Sequence, residues 1–381
     1  MRVFVLGAGM VGSAIVADLA QDPQLSVTAV DRSADALHRL RQRVPRVAKT
    51  VQCDLGRPDE VTEQVSECDL VVSAVPGHLG HATLQAALVA GKNVVDISFS
   101  PEDAFLLDDL ARSRGLTALV DCGVAPGLCN IIAGYVYDQF DATDSYDCYV
   151  GGLPEVRIKP YEYRVVFSAV DVLEEYTRPA RLVEHGSLIT RPALSEVELL
   201  DLPQVGTLEA FNTDGLRSLL RTLPIPSMHE KTLRYPGHAA LMSVFRDSGF
   251  FSTQPINLDG RLVTPMELTS RLLFEQWHMG EDERDLTVML VALEGKRGAR
   301  RERREFWLLD RYDSQTKTTS MARTTGYTCA IVARMVLQGQ FSRVGICPPE
   351  YVGRTPGCFA SLMREYEKRG IGVRESVLEL D

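Results

Sequence analysis

The sequence predicts an α/β protein, with a doubly wound parallel sheet in an N-terminal domain and a mostly antiparallel sheet in a second, α+β domain. Three observations predict this class. A glycine-rich turn joins an apolar strand to a helix near the N-terminus, strand and helix signals alternate as far as Asp121, and hairpin-like strand spacing follows. Strands separated by helices form parallel sheets through right-handed crossovers, whereas closely spaced strands pair antiparallel. At 381 residues, the chain is long enough for two domains.

The glycine-rich turn has the spacing G-x-G-x-x-G in Gly7, Gly9 and Gly12. The first glycine permits a tight turn, the second lets a pyrophosphate approach the backbone, and the third lets helix and strand pack closely. The helix then begins around Met10 and Val11, where free N–H groups and the positive end of the helix dipole face the phosphates. The pattern predicts a Rossmann domain that binds a dinucleotide.

A carboxylate follows the second predicted strand. The apolar run Leu25–Val30 ends at Asp31, nineteen residues after the last glycine of the motif. Rossmann domains place an acid there on the adenosine ribose, where it would repel a 2′-phosphate. We therefore expect NAD to be favoured over NADP, a preference that the neighbouring Arg32 weakens. The alternative is a glycine-rich turn without a ligand.

Strand and helix signals alternate through the rest of the first domain. The predicted strands are Ala48–Cys53, Leu70–Ala74, Asn93–Asp96 and Ala118–Asp121. The predicted helices are Ala34–Arg43, Pro58–Ser66, His78–Ala90 and Pro101–Arg114. Because ligands of parallel sheets lie beyond the carboxyl ends of the strands, we expect Asp54 at the adenine edge and Val75 with Pro76 on the nicotinamide side. For each of these, a plain loop residue or helix cap is the alternative.

The pattern changes near Gly123, where a Pro-Gly turn precedes an apolar helix, Leu128–Val136. The β-like segments that follow are Ser145–Val150, Tyr163–Phe167, Arg181–Glu184, Leu188–Thr190, Lys231–Tyr235, Thr287–Leu293 and Phe306–Tyr312. A basic run at 296–304 separates the last two, and we interpret it as a solvated hairpin loop rather than a nucleic-acid contact. A long helix is expected from Thr325 to Leu337, and another from Phe359 to Lys368.

Composition limits the function classes. The formal net charge of −10 argues against nucleic-acid or anionic-membrane partners and favours a cationic or zwitterionic ligand. No apolar run is long enough to predict a transmembrane helix. The eight cysteines are scattered and form no C-x-x-C pair, so neither a metal site nor structural disulfides are expected. We expect a cytoplasmic protein that acts on a small molecule.

Several segments resemble the saccharopine dehydrogenase-like enzymes, and within them the shorter lysine 6-dehydrogenases. The segments, in family order, are GAGMVG at 7–12, VVDISFSPED at 94–103, DCGVAPGLCN at 121–130, YVGGLP at 149–154, EAFNTDGLRSL at 209–219, EKTLRYPGH at 230–238 and TTGYT at 324–328. The resemblance implies a Rossmann domain at 1–123, an inserted substrate-binding and dimerisation α+β domain at 124–340, and a C-terminal segment, 341–381, that packs back on the first domain. We expect a homo-oligomer, with a dimer as the default.

The resemblance is closer to lysine 6-dehydrogenases than to saccharopine reductases. Saccharopine reductases usually carry G-L-D-P-G before the second-domain helix, whereas Ala125 stands here in place of the aspartate. The run YTRPARLVEHG at 176–186 is similar to lysine 6-dehydrogenase. Such an enzyme oxidises the ε-amine carbon of L-lysine with NAD. Hydrolysis of the imine releases ammonia and a semialdehyde, which cyclises to a piperideine carboxylate.

Two other functions stay open. A saccharopine or carboxyspermidine-type dehydrogenase acts on a secondary amine and needs room for two carboxylates, so a second arginine should line its pocket. Arg164, Arg178 and Arg217 are the candidates. The third hypothesis is a dinucleotide-binding scaffold or sensor without turnover, because a fold alone does not decide function.

Amine oxidation requires that the reacting ammonium lose a proton, through a base or through desolvation. The block 231–238 offers suitable groups. As a strand it points Arg234 and Tyr235 to opposite faces, with His238 beyond a Pro-Gly turn. We expect His238 or Tyr235 to transfer the proton and Arg234 to bind the α-carboxylate through its bidentate fork. The alternatives are a structural histidine and an interdomain salt bridge of Arg234.

Asn212 and Thr213 are predicted to contact the substrate, whereas Asp214 is expected to cap a helix over Gly215–Leu220. These residues lie in the segment EAFNTDG, which resembles lysine 6-dehydrogenase.

Further contacts follow from the resemblance. Ser98, Gly123 and Leu153 lie at strand or turn ends where the family places substrate or nicotinamide contacts. Asp121 or Glu155 is expected to attract the distal ammonium of the substrate.

Overall fold

The computed structural model describes residues 1–165, 169–280 and 283–381, without the side chains at 169 and 170. These residues form two compact units. The first unit comprises residues 1–139 and 322–372, and the second comprises residues 140–321 and 373–381. The predicted strand Tyr163–Phe167 ends outside the described residues, and within them Val165 forms an isolated bridge with His278.

Strands and helices alternate in the first 139 residues. The strands are β1 (Arg2–Leu6), β2 (Ser26–Asp31), β3 (Lys49–Gln52), β4 (Leu70–Ser73), β5 (Asn93–Asp96) and β6 (Thr117–Leu119). The helices are α1 (Met10–Leu19), α2 (Ala34–Arg43), α3 (Pro58–Val65), α4 (Gly77–Val89), α5 (Asp108–Ser113) and α6 (Leu128–Tyr137), with a short 3-10 helix at Ala104–Leu107.

The middle of the chain is richer in strands. They are β7 (Ala142–Pro154), β8 (Ala180–Glu184), β9 (Ser187–Arg191), β10 (Glu198–Leu202), β11 (Gly206–Asn212), β12 (Ser227–Arg234), β13 (Ile256–Leu258), β14 (Arg261–Val263), β15 (Asp285–Arg297) and β16 (Arg300–Arg311). The helices are α7 (Ala169–Thr177), α8 (Leu219–Thr222), α9 (His238–Asp247) and α10 (Pro265–Trp277). The C-terminal part contains α11 (Ser320–Leu337), β17 (Gly345–Cys347), α12 (Glu350–Arg354), α13 (Cys358–Lys368) and β18 (Val373–Leu380).

The first unit contains the predicted parallel sheet. Its strand order, over the described residues, is β17-β6-β5-β4-β1-β2-β3, and every pair is parallel. The central strand β4 is buried throughout, and β1 is buried after Arg2, as parallel strands covered by helices require. Their carboxyl ends therefore meet at one edge of the sheet. This confirms the predicted fold class.

The second unit contains a mixed, mostly antiparallel sheet. Its main path runs β10-β11-β12-β7-β15-β16-β18, and β12 with β7 is the parallel pair within the described part of the chain. Strands β15 and β16 form a long hairpin that turns at Gly298, so the basic run lies on a hairpin, but most of it is paired strand rather than the predicted loop, and Arg304 is buried. Its arginines form ion pairs, such as Arg301 with Asp144 at 3.0 Å.

The bounds of the two units differ from those of the predicted domains. Helix α6 and most of α11 lie in the first unit rather than the second. Helix α6 is tied there because the Asn130 side-chain amide donates to Glu350 Oε2 at 3.2 Å, and Gly134 allows the Glu350 backbone to approach closely. The C-terminal segment is divided: β17 extends the first sheet, whereas β18 pairs with the edge of β16 in the second.

The helix expected over Gly215–Leu220 is shorter and starts later, at Leu219. Two features account for this. Arg217 adopts a left-handed backbone conformation, with φ of 50°, which a right-handed helix excludes. Asp214 accepts from Arg181 Nε and Nη2 at 2.8 and 2.9 Å instead of capping a helix, so its predicted role as a cap is wrong. No helix among the described residues combines the length and apolarity needed to cross a membrane.

Candidate functional site

The glycine turn between β1 and α1 has the geometry that the motif predicts. Gly7 has φ of +104°, and a Cβ there would lie 2.4 Å from the carbonyl oxygen of Ala74. A Cβ at Gly12 would lie 2.1 Å from the Gly7 carbonyl oxygen, whereas one at Gly9 would meet no described atom within 4 Å. Helix α1 begins at Met10 without a side-chain cap among the described residues. The turn thus leaves space and backbone donors for a dinucleotide pyrophosphate.

The carboxylate at the end of β2 is held in place by two backbone amides. Asp31 Oδ2 accepts from Ala8 N, and Oδ1 accepts from Ser33 N, both at 2.7 Å. Each oxygen keeps a lone pair for a ribose hydroxyl. Beside it lies a cleft of about 480 Å³ lined by Arg32, Ser33, Gln52, Cys53, Asp54 and Glu60. The structure therefore places Arg32 and Asp54 in one cleft, where the adenosine half of a dinucleotide fits.

The carboxyl ends of β4, β5 and β6 carry a buried polar cluster. Ser98 Oγ donates to Asp96 Oδ1 at 2.7 Å and lies 3.4 Å from Ser73 Oγ. Burial, together with the nearby charge of Asp121, raises the pKa of Asp96 to about 7. Asp121 is buried and strained, with φ of 53°. Sequence reasoning missed Asp96, although an acid at the carboxyl end of a buried strand was a usable signal.

The other positions predicted on the nicotinamide side surround the same strand ends. Val75 is buried after β4, and Pro76 precedes the first residue of α4. Gly123 lies in a tight turn, where a Cβ would approach the Pro126 carbonyl oxygen to 3.1 Å. All three belong to the first unit, together with Ser98 and Asp121.

Arg234, at the end of β12, is buried in the second unit. Its Nη2 donates to Glu175 Oε2 at 2.7 Å and its Nη1 to the Leu233 carbonyl at 2.9 Å. The guanidinium lies over the ring of Tyr163, 4.7 Å from the centroid. The ion pair of Arg234 with Glu175 thus lies within the second unit, unlike the interdomain salt bridge given as an alternative. The Nε–H group of Arg234 is buried and makes no hydrogen bond within the described residues.

His238, the first residue of α9, uses both ring nitrogens. Nδ1 lies 3.1 Å from the Tyr161 carbonyl oxygen and Nε2 lies 2.9 Å from the Tyr176 hydroxyl. A carbonyl only accepts, so Nδ1 carries the hydrogen and Nε2 accepts from the tyrosine. Burial, with the nearby Arg234 charge, lowers the pKa of His238 to about 3. The imidazole is therefore neutral and fully hydrogen-bonded, as the structural alternative expects.

Tyr235 and Leu153 lie on the opposite face of the sheet from Arg234. Both belong to one buried apolar cluster. The Tyr235 hydroxyl donates to the Pro154 carbonyl at 2.8 Å, and burial raises the pKa of Tyr235. The predicted alternation of Arg234 and Tyr235 is confirmed, but the Tyr235 hydroxyl and the Leu153 side chain lie away from the His238 ring, whose partners are Tyr176 and Tyr161.

Asn212 and Thr213, at the end of β11, face acidic partners. Thr213 Oγ1 donates to Glu230 Oε2 at 2.7 Å, and Asn212 Nδ2 donates to Glu196 Oε2 at 2.9 Å. Burial raises the pKa of Glu230 to about 8. Asn212 Oδ1 is buried without a hydrogen-bond partner in the described ranges. Sequence reasoning missed Glu230 as well as Glu175 and Tyr176, since their partners are distant in the chain.

Two family models cover almost the whole chain. Residues 3–119 match the Saccharopine dehydrogenase NADP binding domain, and residues 123–371 match the Saccharopine dehydrogenase C-terminal domain. The first match agrees with the glycine turn and the cleft beside Asp31. The first unit is thus a pyridine-nucleotide-binding domain.

Named relatives are similar at low identity. The chain is 26% identical over 265 residues to mitochondrial alpha-aminoadipic semialdehyde synthase of Bos taurus, covering 66% of this chain but 28% of that protein, so it spans less than a third of this relative. It is 22% identical to carboxynorspermidine synthase of Vibrio cholerae, covering 100% of this chain and 98% of the relative. The fold matches saccharopine dehydrogenase (L-Glu forming) from Saccharomyces cerevisiae with a TM-score of 0.80, at 20% identity and 99% coverage of both chains. On the two family models, this chain belongs to the saccharopine dehydrogenase family.

Proposed function

We propose that this protein is an NAD-dependent amine dehydrogenase that oxidises the ε-carbon of L-lysine. The products are ammonia and a semialdehyde, which cyclises to a piperideine carboxylate. Family membership supports amine dehydrogenation as the reaction class. The choice of lysine depends on how many carboxylates the arginines of the second unit can bind.

The observation that carries the proposal is the pairing of these arginines. Arg164 Nε contacts both oxygens of Glu283, at 3.0 and 2.9 Å. Arg178 Nη2 donates to Glu174 Oε2 at 3.1 Å. Two of the three candidates for a second carboxylate are thus already paired with acids, and the third, Arg217, lies in a left-handed turn with φ of 50°.

Arg234 is paired with Glu175 as well, but it is more deeply buried than Arg164 and Arg178. Its Nε makes no hydrogen bond in the described part of the chain, which suits one α-carboxylate. Arg178 Nη1 also makes no hydrogen bond there.

The distal ammonium of lysine needs an anionic partner. Of the two candidates, Glu155 accepts from Arg311 Nη1 at 3.0 Å and is already neutralised. We prefer Asp121 because it lies at the carboxyl edge of the parallel sheet, where ligands of Rossmann domains bind. When bound, the nicotinamide coenzyme accepts a hydride from the carbon that carries the amine.

The coenzyme is proposed to be NAD. Asp31 is held by two amides at the position where Rossmann domains bind the ribose hydroxyls, and its charge disfavours a 2′-phosphate there. Arg32 lines the adjacent cleft and provides the opposing preference for NADP. His238 or Tyr235 as the proton-transferring residue stays a prediction, and the hydrogen bonds of both residues favour the structural alternative.

The test is coenzyme reduction by the purified protein with L-lysine, saccharopine or Nε-acetyl-lysine at about pH 9.5, close to the ε-amine pKa of about 10.4. Turnover on lysine, abolished by acetylation of the ε-amine, supports the proposal. Turnover on saccharopine alone moves the assignment to the secondary-amine reaction. NAD binding without oxidation of any amine favours the scaffold or sensor hypothesis.

A further inference from the structure

The polar cluster at the carboxyl ends of β4 and β5 is built like a proton path. Ser73 and Asp96 are neighbours across the two strands. Ser98 Oγ donates to Asp96 Oδ1 at 2.7 Å, and Ser73 Oγ lies 3.4 Å from Ser98 Oγ. All three side chains are at most 3% exposed. This edge of a parallel sheet is where ligands of Rossmann domains bind.

Backbone packing fixes the serine over the carboxylate. Ile97 N donates to the Ser73 carbonyl at 3.0 Å, and Cys122 N donates to the Asp96 carbonyl at 2.9 Å. From the helix side, α4 approaches so closely that a Cβ at Gly80 would lie 2.6 Å from Ser98 Cβ. The hydroxyl is therefore pre-positioned to pass its hydrogen to Asp96 while keeping lone pairs for a second donor.

None of the described hydrogen bonds joins Asp96 to a cationic side chain. Its donors are Ser73 and Ser98, and the nearby ionisable groups are Asp121, Cys122 and Cys329. Burial raises the pKa of both thiols, so neither supplies or removes charge near neutrality. Asp96 is thus a buried carboxyl that changes protonation near the operating range of an enzyme, as a general base requires.

We propose that Asp96, acting through the hydroxyl of Ser98, accepts the proton of the substrate ammonium. The inference rests on the proposed amine dehydrogenase function and deepens it. An N–H bond of the ammonium breaks as an O–H bond forms at Ser98 Oγ, while the original Ser98 O–H bond breaks and the proton joins Asp96 Oδ1. The nitrogen keeps its electron pair, which assists departure of the hydride from carbon. Asp96 then releases its proton to solvent, as the net proton of the reaction.

The expected alternatives are less suited to this role. His238 accepts from Tyr176 at one nitrogen and donates to a carbonyl at the other. Tyr235 donates its only hydroxyl hydrogen to the Pro154 carbonyl. Asp96, by contrast, needs no hydrogen bond to be broken, because the Ser98 hydrogen already points at it.

The test compares the pH dependence of kcat/KM for L-lysine in the wild-type protein, Asp96→Asn and Ser98→Ala. In the wild type, kcat/KM rises as pH increases through about 7, because only the carboxylate accepts a proton. Both variants lose this rise, and their kcat/KM follows the free-amine fraction towards about pH 10.4. At neutral pH, kcat/KM of each variant is about 100-fold below that of the wild type, and this gap shrinks as the pH approaches the pKa of the ε-amine.

Asp103→Asn is the matched control, since this aspartate is exposed in the segment after β5 and accepts from the Phe105 backbone N–H. Its profile stays that of the wild type. A rise through neutral pH that survives both test substitutions overturns the inference. If Asp96→Asn does not fold, Ser98→Ala alone decides, because it keeps the carboxyl.

The role of Asp96 can be tested even if L-lysine is not the substrate. If the wild type oxidises another amine instead of lysine, the same comparison is made with that amine. If it oxidises none, an infrared pH titration gives the answer. A carboxyl band that titrates near neutrality and is missing in Asp96→Asn supports the assignment, and an unchanged spectrum overturns it.

Discussion

The Nε2 atom of His238 lies 2.9 Å from the hydroxyl of Tyr176, a residue 62 positions earlier in the chain. With the Tyr161 carbonyl on its other nitrogen, the imidazole is neutral, buried and locked in one tautomer. Arg234 lies nearby and lowers the pKa of His238 further. This arrangement makes His238 a structural element around the buried guanidinium, with a measurable effect on acid stability.

The difference in free energy of unfolding between the wild type and His238→Gln should become smaller as the pH falls from about 6.5 towards 4. The folded-state pKa is about 3, below the ordinary 6.5, so the unfolded chain takes up a proton that the native state does not. The wild type therefore loses roughly 2–4 kcal/mol over this range, which the variant avoids. Urea unfolding at a series of pH values measures this. His229→Gln is the control with the opposite sign: Asp147 raises the pKa of His229, so its stability difference should widen as the pH falls towards about 6.5 and stay constant below that.

Arg234→Lys should raise KM for L-lysine about 10- to 100-fold with a smaller change in kcat. A lysine keeps the charge near Glu175 but removes the Nε donor, and a hydrogen bond to a charged group contributes about 1.5–3 kcal/mol. Cadaverine, which is lysine without its carboxylate, should be oxidised equally by wild type and variant. An equal loss on both substrates would instead mean that Arg234 only supports the fold.

Asp96→Asn should gain stability relative to the wild type as the pH rises from about 4 to about 8. The folded-state pKa of about 7 lies above the ordinary value of 3.8, so the wild type loses stability as pH increases through this interval. The relative gain is a few kcal/mol at most. Thermal unfolding across pH measures it. Asp247→Asn is the control: Arg246 lowers the pKa of Asp247, so its pH-dependent change falls below about pH 4 and its stability difference should stay nearly constant from about pH 4 to 8. A pH-independent difference for Asp96→Asn would contradict the assignment of a buried, titrating carboxyl.

Asp18→Asn should destabilise the first unit by about 1.5–3 kcal/mol, because it removes the carboxylate shared by two partly buried guanidinium groups. Arg369 keeps its ion pair with Glu365. Asp18 Oδ1 accepts from Arg369 Nε at 2.6 Å, and its carbonyl accepts from Arg334 Nη2 at 2.8 Å. These contacts tie α1 to α11 and to the end of α13. Asp22→Asn is the control, since that carboxylate lies 3.8 Å from Arg334 Nε and should cost less than about 1 kcal/mol. Denaturant unfolding of both variants measures the two losses. Equal losses in Asp18→Asn and Asp22→Asn would mean that the Asp18 contacts do not stabilise the packing of α11 and α13 on α1.

Asp31→Asn should raise KM for NAD about tenfold or more and improve use of NADP, because removal of the charge relieves repulsion of a 2′-phosphate. Arg32→Ala should shift the preference the other way. Asp35→Asn, an exposed residue in the first turn of α2, should change neither coenzyme. The measured quantity is the ratio of kcat/KM for the two coenzymes. An unchanged ratio in Asp31→Asn would remove the argument for NAD.

The features that could be predicted from the sequence are those determined by residues close together in the chain. Gly7, Gly9 and Gly12 predict a turn because each glycine answers a steric demand within a few residues, and the structure has that turn. The seven parallel strands follow from alternating apolar runs, apart from β17, which is only three residues long. The β15–β16 hairpin was predictable for the same reason.

The pairings inside the second unit were not predictable. Arg234 and Glu175 are 59 positions apart, and nothing local in either segment specifies the other. Period-two alternation correctly placed Arg234 and Tyr235 on opposite faces, but it does not say which face the helices cover. Asp214 shows why local patterns are insufficient. The sequence favours it as a helix cap, but in the structure it accepts from Arg181, a residue 33 positions earlier.

The measurement that tests the central claim most directly uses L-lysine labelled with nitrogen-15 at the ε-amine, incubated with the protein and NAD and followed by nitrogen NMR. The account predicts that the label appears as ammonium, in step with coenzyme reduction. Label retained in an organic product, or ammonium that appears only from lysine labelled at the α-amine, would contradict it.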